Sequence, residues 1–333
     1  MIESLLLVLV AAVLQGIFLV PMGFTRQWAF EHTWLIFSVL AMLVFNWAVA
    51  LVLLPYPRAI FAAVPRHELI ALVLVGAAWG VGAVLFGLGM DKLGLALGYP
   101  IIMGLNAAVG TLLPLVSLVG GKFWVGRGLY VVAGTAIGIL GIIVSSMAGA
   151  RRESRTSTDG KTKFVSGLTI AVAAGCLSCL PNLGMAYATN TMHAARNLGA
   201  PASLAGDAVW SVFFTFGGFV NCIYCVARMI SRRNWRKLIA EDALSNFGWA
   251  GAMALMWIGS FYLYGTGASA MGSWGPAIGW PVFISLSIGV GVLCGWWRGE
   301  WRKAPASAKH LLWQGLLLIF IAVLVIPFGR VHK

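Results

Sequence analysis

Residues 94–110 read GLALGYPIIMGLNAAVG, and residues 275–291 read GPAIGWPVFISLSIGVG. Superimposed, Gly98-Tyr99-Pro100 falls on Gly279-Trp280-Pro281, Gly94 on Gly275, Leu105 on Leu286 and Gly110 on Gly291. Just upstream, Trp79, Phe86 and Gly87 fall on Trp257, Tyr264 and Gly265. Two stretches in opposite halves of the chain therefore share a pattern of glycine, aromatic residue and proline. Self-similarity at a long period marks an internal repeat.

The surrounding chain says what is repeated. Of 333 residues, 60% are hydrophobic and only 10% charged, with a mean hydropathy of +0.90. Soluble domains carry about a quarter charged residues. A soluble enzyme, a disordered chain and a compact nucleic-acid binder are excluded. The net charge of +13 does not indicate nucleic acid, because the basic residues cluster in short loops between long uncharged runs. About 20 apolar residues span a bilayer. The pattern predicts ten transmembrane helices near 3–23, 34–54, 69–90, 94–119, 127–148, 165–191, 203–230, 246–267, 274–297 and 310–328. Pro55, Pro57, Pro65, Gly120-Gly121, Pro201 and Pro305 punctuate the junctions. Ile2 to Met22 has no basic leader and reads as the first span.

The most polar stretch begins at Arg151, near the midpoint. The chain then divides into a first five-helix repeat (1–150), a polar linker (151–164) and a second five-helix repeat (165–333). An odd number of spans per copy forces the copies to lie inverted in the membrane. Inverted repeats with binding at the midplane are a transporter architecture. The loops after the odd-numbered helices hold 16 of the Lys and Arg residues and the rest of the chain 7. Cytoplasmic loops carry the basic excess. The expectation is a multi-pass protein of a bacterial-type inner (plasma) membrane with both termini outside.

Several residues resemble a known family. Trp79-Gly80-Val81-Gly82, Gly87-Leu88, Leu93-Gly94, Gly98 and Val109-Gly110-Thr111-Leu112 look like the L-rhamnose–proton symporter family, within the drug/metabolite transporter superfamily. Further matches stand in order at Trp28, Glu31 and Trp34, at Met192-His193, at Trp257 and Tyr264, and at Gly295 with Glu300-Trp301. The resemblance implies ten helices in two inverted halves, a central sugar site and uptake driven by protons. Two positions depart from the family pattern. Ala194 follows the Met-His pair where an acidic residue is expected, and Asp91 stands where a basic residue is common.

A sugar is recognised through its hydroxyls by neutral hydrogen-bonding groups, since charge at the midplane is expensive. Its C–H faces pack on aromatic rings with polar tips. Gln15, Asn106 and Asn182 supply the amides; Trp79, Tyr99, Tyr187, Trp257, Tyr262, Tyr264 and Trp280 supply the rings. Asn46 and Asn221 read as bonds between helices. Trp28, Trp34, Trp47, Trp235, Trp296, Trp297, Trp301 and Trp313 read as interface anchors. Proton coupling needs a titratable group with a perturbed environment. The candidates are Asp207, His193 and Asp91, against the alternatives of a helix-dipole partner, an interfacial histidine and a surface pair with Lys92. Gly98, Pro100, Gly279 and Pro281 permit bends where alternating access can pivot.

Cys176, Cys179, Cys222 and Cys225 have zinc-like spacing, but their depths along two helices differ by about 13 Å. One ion cannot collect them at about 2.3 Å. No metal and no cofactor are expected. Gly134, Gly138 and Gly141 line one side of the fifth helix, for packing within the chain or against a second copy. The leading reading is a proton-driven importer of a monosaccharide, with the sugar, protons and the lipid bilayer as partners. An exporter or exchanger of another small metabolite, or an uncoupled sugar uniporter, is the alternative. An intramembrane enzyme would need a mid-span carboxylate pair or a Ser–His dyad, and neither is found.

Overall fold

The structure, a computed structural model, describes residues 2–93, 95–119, 126–153, 161–239, 241–297, 299, 301–302 and 304–328. At some helix ends only the backbone is described. The described chain is helical, with fourteen α-helices. The first five are α1 (Ile2–Ile17), α2 (Phe30–Ser38), α3 (Asn46–Leu53), α4 (Pro57–Ala63) and α5 (Arg66–Leu93). Next come α6 (Leu95–Val119), α7 (Arg127–Glu153), α8 (Lys161–Ser178), α9 (Leu180–Tyr187) and α10 (Thr189–Asn197). The last four are α11 (Asp207–Ser231), α12 (Ala243–Ala270), α13 (Gly275–Trp297) and α14 (Ala306–Phe328).

Proline and helix geometry explain the breaks. α2 widens into π-helical turns at Val39–Phe45 before continuing as α3, so the predicted second helix is one rod with a bulge. The predicted sixth helix is three pieces. Pro181 cannot donate to the carbonyl four residues back, and the rod breaks between Ser178 and Leu180. A second break falls at Ala188, whose ψ of 55° is not helical.

Among the described residues, eight helical segments are long and apolar enough to cross a membrane. They are Ile2–Phe24, Phe30–Leu53, Arg66–Gly89, Gly128–Ser145, Val165–Tyr187, Asp207–Ser231, Gly275–Trp297 and Ala306–Ile326. The protein is thus an all-helical, multi-pass membrane protein.

The contacts group into two compact units, and neither follows the midpoint of the chain. The first takes Met1–Val81 and Gly184–Ala270. Within it, α1 packs on α12, and α2 packs on α11 and α12. The second takes Gly82–Leu183 and Met271–Lys333. Within it, α7 lies along α14, and α6 touches α7, α8 and α13. Each unit therefore draws helices from both halves of the sequence.

The glycine side of α7 is used inside the chain. A side chain at Gly134 would strike Ile326, one at Gly138 would meet Ala322 and Ser285, and one at Gly141 would meet the backbone of Gly315 at 2.9 Å. Lipid tails give no hydrophobic drive between helices, so close backbone approach and dispersion hold such a pair. α14 covers this face, and any contact between copies must use another surface.

Candidate functional site

In the first unit two of the predicted aromatic residues meet. Trp79 on α5 stacks on Trp257 of α12, with centroids 5.8 Å apart and planes at 27°. Phe214 of α11 stands edge-on to both, at 5.4 Å and 4.8 Å. Phe261 and Phe37 close on Trp257 at 4.7 Å and 5.7 Å. Trp79 fits because position 217 is glycine: a side chain there would come within 2.6 Å of its ring. All these rings are buried, and Trp79 is the most exposed at 8%.

The polar candidates of this unit divide into satisfied and unsatisfied groups. The Tyr262 hydroxyl donates to Asn46, whose O and Oδ1 lie at 2.9 Å and 3.0 Å. Asn46 Nδ2 lies 3.1 Å from the Met42 carbonyl and 3.1 Å from that of Ser211. Asn46 and Asn221 thus bridge helices as expected, Asn221 Oδ1 accepting from Trp34 Nε1 at 2.9 Å. Gln15 Oε1 accepts from Ser260 Oγ at 2.7 Å. Tyr264 is fully buried.

Asp207 opens α11 and is fully buried. Its Oδ2 accepts from Thr266 Oγ1 at 3.1 Å. Its Oδ1 has no hydrogen-bond partner, and neither has Trp210 Nε1 one turn on.

His193 lies on α10, exposed, and lines a surface pocket of about 370 Å³ with Asn190 and Asn197. Tyr187 is 43% exposed at the end of α9.

Two carboxylates were not among the expected site residues. Glu68, at the start of α5, is 8% exposed. Its Oε1 accepts from Thr191 N and Oγ1 at 2.7 Å and 2.6 Å, and its Oε2 from Asn190 N and Nδ2 at 3.2 Å and 2.8 Å. A carboxylate from a distant helix thus caps the first turn of α10, where free amides and the helix dipole favour an anion.

Glu31, at the start of α2, accepts from Asn234 Nδ2 at 2.8 Å and from Arg232 Nη1 at 3.3 Å. Beside it, His32 Nδ1 accepts from Ala29 N at 3.1 Å, so its Nε2 carries the proton and donates to the Asn234 carbonyl at 3.0 Å. Trp28 Nε1 donates to the Lys237 carbonyl at 2.8 Å. Trp28 therefore clasps the segment after α11, Trp34 is tied to Asn221 within α11, and both are buried, as is Trp301. Trp235, Trp297 and Trp313 are exposed, as anchors require. Both acids open apolar runs, and no local spacing signals partners more than a hundred residues away.

In the second unit Asn182 and Trp280 hold a crossing. Pro114 has no N–H, so the Gly110 carbonyl of α6 lacks its usual helical donor. Asn182 Nδ2 supplies one at 2.6 Å and also reaches the Pro276 carbonyl at 3.2 Å. Trp280 Nε1 donates to the Asn106 carbonyl at 3.3 Å, in space left by the missing side chain of Gly110. Asn106 Oδ1 is buried without a partner. Cys179 packs against Gly110, and its Sγ donates to the Cys176 carbonyl at 3.0 Å. Gly279 and Pro281 are buried within α13, which runs on through Pro281. Gly98, Tyr99 and Pro100 lie in α6 and Asp91 in the last turn of α5; their side chains lie outside the described residues.

Comparison with known proteins places this arrangement. A family model described as L-rhamnose-proton symport protein (RhaT) matches residues 1–332. The chain is similar to a protein named L-rhamnose-proton symporter from Cronobacter sakazakii, 26% identical over 331 residues, covering 96% of this chain and 95% of that one. It is similar to one of the same name from Klebsiella pneumoniae, 27% identical over 335 residues and 96% of each chain. A third, from Mannheimia succiniciproducens, is 25% identical over 331 residues, covering 97% and 96%. A solved crystal structure 15% identical to this chain superimposes over 99% of both chains with a TM-score of 0.58, a likeness of fold alone.

Proposed function

The chain belongs to the L-rhamnose-proton symport protein family, and from that membership we propose that it is a secondary active transporter importing L-rhamnose or a related deoxy-sugar with a proton. The family match over residues 1–332 carries this reading. The family is one of transporters, not enzymes.

The proposal extends to architecture. Ten spans arise when α6 and α12 join the eight segments already described. α12 is 28 residues long, enough to cross, and rich in Gly, Ser, Trp and Tyr. The two five-helix copies lie inverted, with both termini outside the inner membrane. Support comes from Trp79 and Trp257, which correspond in the repeat and stack on each other. In a pseudo-two-fold arrangement, equivalent residues touch only near the axis. The pairs α6–α13 and α7–α14 occupy equivalent positions in the two copies and also pack together.

The sugar-binding candidates are Trp79, Trp257, Tyr262 and Gln15 in the first unit, with Tyr187 and Tyr264 in support, and Tyr99, Asn106, Asn182 and Trp280 in the second. Asp207 carries the proton. A buried carboxyl with one free oxygen and no described Lys, Arg or His paired to it is expensive to ionise. It is therefore a suitable place for a proton to arrive and leave. His193 and Asp91 are the secondary candidates. Gly98, Pro100, Gly279 and Pro281 bend α6 and α13 during alternating access, and Gly98→Leu abolishes transport without loss of insertion.

Uptake of labelled L-rhamnose into proteoliposomes under an inward proton gradient tests the reading. Accumulation that collapses with an uncoupler is expected. Uptake that only equilibrates overturns the coupling, and absence of uptake overturns the sugar.

A further inference from the structure

We propose that a buried water molecule sits between Asp207 Oδ1 and Trp210 Nε1 and passes the proton to Asp207. The inference rests on the assignment of Asp207 to coupling and adds the group through which coupling is made. Three buried polar atoms at the junction of α11 and α12 have no partner: Asp207 Oδ1, Trp210 Nε1 and Ser269 Oγ. Buried polar groups are hydrogen-bonded in nearly all cases, because leaving one unmet forfeits its solvation with nothing in return. Three unmet atoms in one place point to a missing partner.

Their positions and chemistry select it. Oδ1 and Nε1 do not bond each other, yet both crowd the place where a Gly265 side chain would stand. They are neighbours separated by less than the width of two side chains. Ser269 stands one turn further along the same face of α12, with its Oγ against Gly206, the residue before Asp207. The Trp210 ring is fixed by stacking on Phe214 at 5.2 Å and 16°, so its N–H cannot turn away.

The missing partner must accept from an indole N–H and donate to, or exchange a proton with, a carboxyl oxygen. A metal cation cannot accept an N–H, which rules out sodium at this position. A hydroxyl-type oxygen does both, and it comes from water or from a sugar. Asp207 and the Trp210 ring are fully buried, and water is the smaller of the two. Asp207 Oδ2 is already held by Thr266, leaving Oδ1 as the oxygen that gains and loses the proton. The step is a relay: the water takes up an incoming proton as it gives one of its own to Oδ1, so one O–H bond forms on the water as another breaks and no hydroxide is left. Release runs in reverse.

A map of the protein in nanodiscs, fine enough to show ordered waters and recorded without sugar, tests occupancy directly. Density at hydrogen-bonding distance from both Oδ1 and Nε1 is expected. An empty gap, density with sodium-like coordination by several oxygens, or density that enters only with sugar overturns the proposal. Transport supplies the second arm. Trp210→Phe keeps the stacking and removes the N–H; Gly265→Ala drives a methyl group against Oδ1 and Nε1 and forces them from their places. Both are expected to lower proton-driven accumulation about tenfold and sugar counterflow by much less. Accumulation unchanged in Trp210→Phe refutes the water while leaving Asp207 in place. Accumulation unchanged in Asp207→Asn refutes the coupling assignment itself. If Gly265→Ala fails to fold, Trp210→Phe and Ser269→Ala decide the question.

Discussion

Glu68 and Asp207 are both buried carboxyls at the first turn of a long helix, and they differ in every other respect. Glu68 accepts four hydrogen bonds, two of them from the backbone of α10. Asp207 accepts one, from Thr266, and leaves an oxygen unmet. A carboxylate with all its lone pairs engaged holds its charge and fixes its neighbours. One with a vacant oxygen is costly as an anion and open to a proton. Burial alone separates neither case; the count of donors does.

Asp207→Asn breaks the comparison most severely. The amide keeps an acceptor for Thr266 but no longer gains and loses a proton. Uphill accumulation in proteoliposomes collapses to equal concentrations on both sides, while thermal unfolding in detergent stays near that of the parent. Glu68→Gln produces the reverse pattern. The amide turns a donor toward the α10 amides, and stability falls by about 3 kcal/mol. Denaturant unfolding of purified protein reads the loss, and transport per folded molecule changes little.

Gly141→Val tests packing without any carboxyl. The added methyl groups meet the Gly315 backbone, and overpacking costs about 2 kcal/mol. A lowered midpoint in thermal unfolding checks it. Ser260→Ala has the smallest effect, about 1 kcal/mol, since Gln15 loses one donor. If Gln15 binds sugar, the same change raises the apparent KM for L-rhamnose more than it lowers the maximal rate.

The helices were legible because apolar runs of fixed length and the proline and glycine punctuation depend only on local sequence. The three-way division of 161–197 was half visible: Pro181 announces one break, whereas Ala188 carries no signal. The compact units were not legible, because they are set by which helices touch and not by chain order. Asp207 was legible as a lone acid inside an apolar run. Glu68 was not, because its meaning lies in Asn190 and Thr191, far along the chain. Trp28 and Trp34 hid their partners for the same reason: an indole at a helix start looks alike whether it faces lipid, the Lys237 carbonyl or the Asn221 side chain.

Pro114, Gly110 and Asn182 form a dependency between residues on two helices. The proline removes one rung of α6, and the asparagine supplies the replacement. Neither substitution is neutral alone in every background. Asn182→Leu strands the Gly110 carbonyl while Pro114 is present, yet becomes tolerable once Pro114→Ala restores the rung. The order of change is therefore constrained: a lineage that loses the proline first is free to explore position 182, and one that keeps it is not. This pair is a small case of background-dependent epistasis in magnitude, and it gives the locked position a history that side-chain chemistry by itself does not.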